Sequence, residues 1–106
     1  MLDLYFESED NELVIIDYGE NVIIYNPLYC DNVKVFNAGD WWYNYRDFLD
    51  SCYEIGGEEA FWELIYFEKE EQNLYADMGY LGELEEFIED NDLKEKYEEK
   101  LKEWYE

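Results

Sequence analysis

Two thiols and no histidine set the first limit on the chemistry open to this chain. Cys30 and Cys52 have no imidazole to activate them, so Cys-His and Ser-His-Asp nucleophile systems are excluded. The same lack removes a histidine general base and the commonest zinc and iron ligand sets, and two cysteines cannot complete a four-ligand structural zinc site. No Walker loop or G-x-G-x-x-G stretch occurs, so the usual phosphate cradles are missing. The acidic run EDNDLKEKYEEK, Glu89 to Lys100, invites a calcium reading. It fails, because Lys94 falls where an EF-hand needs a ligand and the loop glycine is missing. No metal and no cofactor are expected.

Carboxylates are the one functional group in surplus: 30 Asp and Glu against 7 Lys and Arg, for a formal net charge of −23. Two placed acids suffice for glycoside hydrolysis. Among so many, however, pairs at suitable spacing arise by chance, so a carboxylate-pair enzyme stays an alternative with no catalytic residue assigned. Solubility of a small domain asks for a net charge of only about 2 to 8 in magnitude. The excess opposes folding by self-repulsion. A role beyond solubility therefore maintains it, with a halophilic origin as the competing account.

The charge is uneven. Residues 94 to 106 hold four lysines against five glutamates, like an ordinary solvated helix, while residues 1 to 93 carry a net −22 with only Lys34, Arg46 and Lys69 as cations. Within that body, DWWYNYRDFLD (Asp40 to Asp50) sets five rings among three aspartates and one arginine. Most of the chain's rings belong in a core, yet twelve tyrosines leave some for rigid surface contact.

The elements that must position these groups follow from periodicity. At 106 residues, with 48% hydrophobic and 21% aromatic content, the chain suits a single globular domain spanning residues 1–106. LDLYFE, ELVIIDY, NVIIYN and NVKVFN, separated by turn signals, read as an antiparallel β-meander in the N-terminal third. A helix entered at Asp40 buries Trp41, Tyr45, Phe48, Leu49 and Cys52, and ends at Gly56 and Gly57. Its other side carries Trp42, Tyr43, Arg46, Asp47, Asp50 and Glu54, with Trp42 and Arg46 spaced for a cation–π contact. Residues 58 to 80 read as a short helical turn and a hairpin, Leu64–Lys69 with Asn73–Met78, against a single helix through Lys69 as the competitor. A helix through Leu81, Leu84, Phe87 and Ile88 breaks near Asn91. Asp92 and Glu95 then form a capping box for a C-terminal helix striped by Leu93, Tyr97, Leu101 and Trp104. The expected class is α+β, the meander packed against two to four helices.

The acidic start lacks the basic and long apolar regions of a secretory signal, and no run approaches the roughly 18 apolar residues of a membrane span. Two cysteines make no disulfide framework. A cytoplasmic protein with reduced thiols is expected, repelled from anionic membranes.

Folded segments hold carboxylates in rows several ångströms apart, and duplex DNA presents about one negative charge per 1.7 Å of axis. A surface built to grip phosphates accepts such a row in their place, while exposed Trp and Tyr occupy its stacking positions. In size, acidity and tyrosine richness the whole chain resembles the DNA-mimic inhibitors of phages and mobile elements: anti-CRISPR proteins, anti-restriction proteins and uracil-DNA glycosylase inhibitors. The resemblance carries no motif, so it assigns no residue. It implies an inhibitor, acting in the host cytoplasm, that fills the basic DNA channel of a nuclease or the PAM-reading surface of a CRISPR effector and does not itself bind nucleic acid. The candidate contact face is Asp40, Trp42, Tyr43, Asp47, Asp50 and Glu54 with Glu58, Glu59 and Glu63. Glu83, Glu85, Glu86, Glu89 and Asp90 form a second patch. An immunity protein that neutralises a basic nuclease toxin is the alternative with the same electrostatics. Oligomeric state stays open.

Overall fold

Runs rich in valine, isoleucine and aromatic residues, each closed by a tight turn, make a sheet whose strands pair in chain order. The computed structural model describes residues 3–29, 32–37, 45–76 and 78–105. Strands β1 (Asp3–Glu7), β2 (Val14–Asp17), β3 (Asn21–Tyr25) and β4 (Val33–Asn37) are antiparallel throughout. Three described helices follow, α1 (Tyr45–Glu70), α2 (Met78–Asp90) and α3 (Lys94–Tyr105), with a 3-10 turn at Leu74–Ala76. The protein is α+β, meander first and helices after. None of the described helices is long and apolar enough to cross a membrane.

The turns explain the register. Ser8 Oγ accepts the amides of Glu12 (3.0 Å) and Leu13 (3.1 Å), and Asn11 takes the left-handed conformation that closes the β1–β2 connection. At the next turn Gly19 adopts φ +88° and gives its amide to Asp17 Oδ1 at 2.7 Å. In β1 the pairing skips one residue between Leu4 and Phe6. This bulge lets two successive side chains, Tyr5 and Phe6, reach the helices, where both rings meet Phe67 at centroid distances of 5.4 and 5.2 Å.

One face of the sheet supplies Phe6, Ile15, Val22 and Ile24 to the core. Against it α1 buries Tyr45, Phe48, Leu49 and Cys52, the face that helical spacing predicts, and α2 adds Leu84, Phe87 and Ile88. Trp41, the fifth predicted member, lies outside the described residues, as do the Asp40 cap and the Trp42 side of the predicted cation–π pair. Arg46 places its guanidinium 5.4 Å from the centroid of Phe87.

Gly56 and Gly57 end the first helical segment as expected, Gly57 leaving helical geometry with φ 87° and ψ 174°. A second helical segment follows directly across this kink and runs through Glu70, so α1 is two helices in line. Two local expectations are corrected. The predicted hairpin does not form, since Leu64–Lys69 belongs to α1 and residues 74–76 are a 3-10 turn. Phe61, Leu64, Ile65 and Glu68 follow the helical period and are all buried. A glutamate closing the stripe hides it from a hydrophobicity reading. Finally, Asp92 does not cap α3. It takes a left-handed φ of 55° and ends α2, with Asp92 N–H bonded to Glu89 O (3.2 Å) and Leu93 N–H to Ile88 O (2.9 Å). This is a Schellman arrangement, sealed by burial of both Ile88 and Leu93.

The kink has a packing reason. A Cβ added at Gly56 would stand 2.7 Å from Leu13 Cβ, so the β1–β2 connection touches the helix backbone there. Gly56→Ala should lower stability by about 1–3 kcal/mol, read as a fall in the urea midpoint, because Leu13 is fully buried and has no room to retreat. An unchanged midpoint would mean that the close approach is not held in solution.

Candidate functional site

Carboxylates gather on two faces of this scaffold. On the first half of α1, Asp47, Asp50 and Glu54 are spaced i, i+3, i+7 and share one side, as do Glu83, Glu86 and Asp90 on α2. Glu85 and Glu89, also exposed, lie on the other flank of α2, where they line a groove with Lys94, Tyr97 and Glu98 of α3. Arg46 joins the two helices, its Nη1 2.9 Å from Asp90 and its Nε 3.7 Å from Asp50. Two patches that are separate in sequence thus form one anionic surface around a single guanidinium. Asp47, Glu54, Glu86 and Asp90 are exposed, and Asp50 and Glu83 half-buried.

The second face is created by the Gly56–Leu13 contact, which brings the β1–β2 turn alongside the second half of α1. Glu63 Oε1 accepts the amide of Glu9 at 3.1 Å. Partial burial raises the Glu63 carboxyl above its usual range, and the charges of Glu9, Asp10 and Glu59 push it the same way. Next to this cluster runs a groove of about 550 Å³ walled by Trp62, Tyr66 and Trp104 as well as Glu9, Glu59 and Glu63. Lys100 and Glu103 also line it and pair with each other at 3.5 Å. Trp104 lies 5.3 Å from Tyr66, and Trp62 stacks on Tyr97 at 6.0 Å. These contacts hold the rings rigid. Glu58 is spent differently: Lys96, 2.7 Å from its Oε1, holds it below the usual carboxylate range, helped by the Trp62 indole N–H.

A third carboxylate site is internal. Glu68 is fully buried on α1 and accepts hydrogen bonds from Tyr45 (2.9 Å) and Tyr5 (3.2 Å), while Tyr45 in turn bonds the hydroxyl of Tyr75. Burial pushes the Glu68 carboxyl up to about 8, against the pull of its two tyrosine donors. The same burial, with the Glu68 charge, raises Tyr5, Tyr45 and Tyr75 and the free thiol of Cys52. Such a carboxyl would suit proton transfer, yet with no exposed surface it has no path to a substrate. Its role is to tie β1, both halves of α1 and the 3-10 turn together.

Among the expected contact residues, Asp40, Trp42 and Tyr43 lie outside the described residues. Asp47, Asp50, Glu54, Glu83, Glu86 and Asp90 belong to the first face and Glu59 and Glu63 to the second, while Glu85 and Glu89 face α3 and join neither. Glu9, Asp10, Tyr66 and Trp104 were not foreseen. Glu9 and Asp10 read only as turn residues, and nothing local links them to positions more than fifty residues away. Among the described residues, no group of three His, Cys, Asp or Glu is placed to hold a metal ion. No protein-family model, curated protein or solved structure matches the chain.

Proposed function

We propose that this protein is a phage-type inhibitor acting in the host cytoplasm, a DNA mimic that occupies the basic nucleic-acid channel of a nuclease or CRISPR effector. One observation carries this reading: of 30 acids, ion pairs among the described residues reach only Asp50, Glu58, Asp90 and Glu103. Asp17, Glu63, Glu68 and Glu70 accept hydrogen bonds within the fold; the other acids outside the ion pairs add to its self-repulsion, a cost offset when a cationic surface arrives. Rows at helical spacing on α1 and α2 offer carboxylates about 6 Å apart, and the Trp62–Trp104 groove offers apolar walls beside them. Opposite fields speed encounter, while a few desolvated anchors, here the aromatic residues of the groove, set the lifetime of the complex.

Competition is the test. Fluorescence anisotropy of labelled duplex DNA on a basic nuclease or CRISPR effector should fall as the protein is added, and excess unlabelled DNA should reverse binding of the inhibitor. Raising salt from about 0.05 to 0.2 M should weaken the complex at least tenfold. A ternary complex, with DNA and inhibitor held tightly together, would overturn occupation of a shared channel.

A further inference from the structure

Arg46 shows what this chain does with a guanidinium. It lies 5.4 Å from the Phe87 ring and close to two carboxylates, Asp90 at 2.9 Å and Asp50 at 3.7 Å. The groove beside the β1–β2 turn holds the same ingredients without a cation to match. Glu59, Trp62, Glu63 and Tyr66 fall at i, i+3, i+4 and i+7, so one side of α1 interleaves two rings with two carboxylates. Trp104 of α3 and Glu9 of the turn complete the walls, and Phe6 adds a third, largely buried, apolar surface. The enclosed space of about 550 Å³ lies within the range of about 300–1,000 Å³ usual for ligand pockets. Tyr66 remains 41% exposed although it packs against Trp104.

The chain's own cations leave this groove unmatched. Lys100 lines it, but pairs with Glu103 at 3.5 Å. Cation–π contacts among the described residues use Lys34, Arg46 and Lys69, and fall on Phe36, Phe87, Tyr75 and Tyr97, none of them a groove ring. Glu9, Glu59 and Glu63 enter no ion pair among the described residues. Partial burial and the charges of Glu9, Asp10 and Glu59 raise the Glu63 carboxyl, a repulsion that an incoming cation relieves.

We infer that this groove binds the guanidinium of an arginine side chain presented by a cationic protein, the inhibitor reading above supplying only the source of that arginine. Chemistry selects this occupant. A planar guanidinium stacks on Tyr66 and Trp104 while its fork of N–H donors reaches Glu59 and Glu63. Lysine's compact ammonium is more strongly hydrated and has no plane to stack. A phosphate or nucleotide meets a surplus of carboxylates. A metal ion lacks its ligands, since among the described residues no three acids are placed to hold one.

The indole N–H resonances of Trp62 and Trp104, followed by proton–nitrogen NMR on the full chain at constant ionic strength, test this. N-acetyl-arginine amide, which stands in for an arginine within a protein, should shift both signals saturably between about 0.1 and 50 mM. The matching lysine compound should bind at least about fivefold more weakly. Free arginine should also bind more weakly, because its own carboxylate meets those of the groove. Glu59→Gln and Tyr66→Leu, both at exposed positions, should each weaken the arginine compound at least about threefold. Glu20→Gln, on the β2–β3 turn, should leave it unchanged. Trp104→Leu should abolish saturation; should circular dichroism show it unfolded, the two exposed-site variants decide. Absence of saturation, equal response to the arginine and lysine compounds, or wild-type binding by Glu59→Gln and Tyr66→Leu would each overturn the assignment. Tighter binding of free arginine would overturn a protein as the source. No nuclease or DNA is present in these titrations, so the groove can fail while competition for the DNA channel holds, and the reverse.

Discussion

Glu68→Gln should flatten the pH dependence of stability between pH 4.5 and 8. In the unfolded chain the carboxyl loses its proton near 4.5, whereas in the fold burial holds the proton until about 8. Below pH 4.5 both states are protonated and Glu68 costs nothing. Between the two values the unfolded chain releases a proton that the folded one keeps, so stability falls as pH rises, and above 8 the loss levels off. At about 1.4 kcal/mol per pKa unit, the full window is worth about 5 kcal/mol. The groups facing Glu68 are the Tyr5, Tyr45 and Tyr75 hydroxyls and the Cys52 thiol, all raised in pKa, so none titrates inside the window. Glutamine keeps an acceptor for one tyrosine and offers an N–H to the other, as the protonated acid does. Urea unfolding at pH 5 and pH 8 would measure it: wild type should lose several kcal/mol more than the variant. Surface acids weaken both proteins alike as they ionise, so the difference belongs to residue 68. Parallel curves would show that the buried carboxyl is already ionised.

The groove cluster should behave in the opposite sense to a structural site. Glu59→Lys with Glu63→Gln removes two negative charges and adds one positive beside Glu9 and Asp10, while the glutamine retains an acceptor for the Glu9 amide. The melting temperature should rise, by the equivalent of about 0.5–2 kcal/mol for a relieved surface repulsion. Affinity for a basic nuclease should drop about tenfold or more at low salt, mostly through slower association. Glu20→Lys, on the exposed β2–β3 turn, changes charge away from both faces and serves as the control. If both variants weaken binding equally, total charge matters and the groove is no special contact. If neither does, the Asp47–Asp90 face is left to carry recognition.

Strand positions were legible to within a few residues because alternation, β-branching and turn residues agree in the first 37 positions. The α1 core face was equally plain from Tyr45, Phe48, Leu49 and Cys52. Failures came where one residue type serves two purposes. Glu68 looks like solvent-facing punctuation and is instead the polar end of a buried stripe. Asp92, followed three residues later by Glu95, resembles a helix start, yet its left-handed conformation finishes the helix before. Gly57 marks a break correctly, but a broken helix continues when, as here, its second half has its own buried side in Phe61, Leu64 and Ile65. The acids of α1 and α2 were found from local spacing. Their junction at Arg46 and the union of Glu9 with Glu63 depend on tertiary contacts across more than forty residues, which spacing does not encode.

The bulge in β1 ties together two positions that lie far apart in the chain. Leu4 pairs with Ile16 and Phe6 with Ile15, so Tyr5 is the supernumerary residue of its strand, and a regular ladder would form without it. Its hydroxyl is one of the two donors to Glu68. A homologue one residue shorter here would keep the sheet intact but strand that carboxyl, and natural variation should therefore alter both places at once: chains with an uninterrupted first strand should carry a hydrocarbon side chain where this one has glutamate.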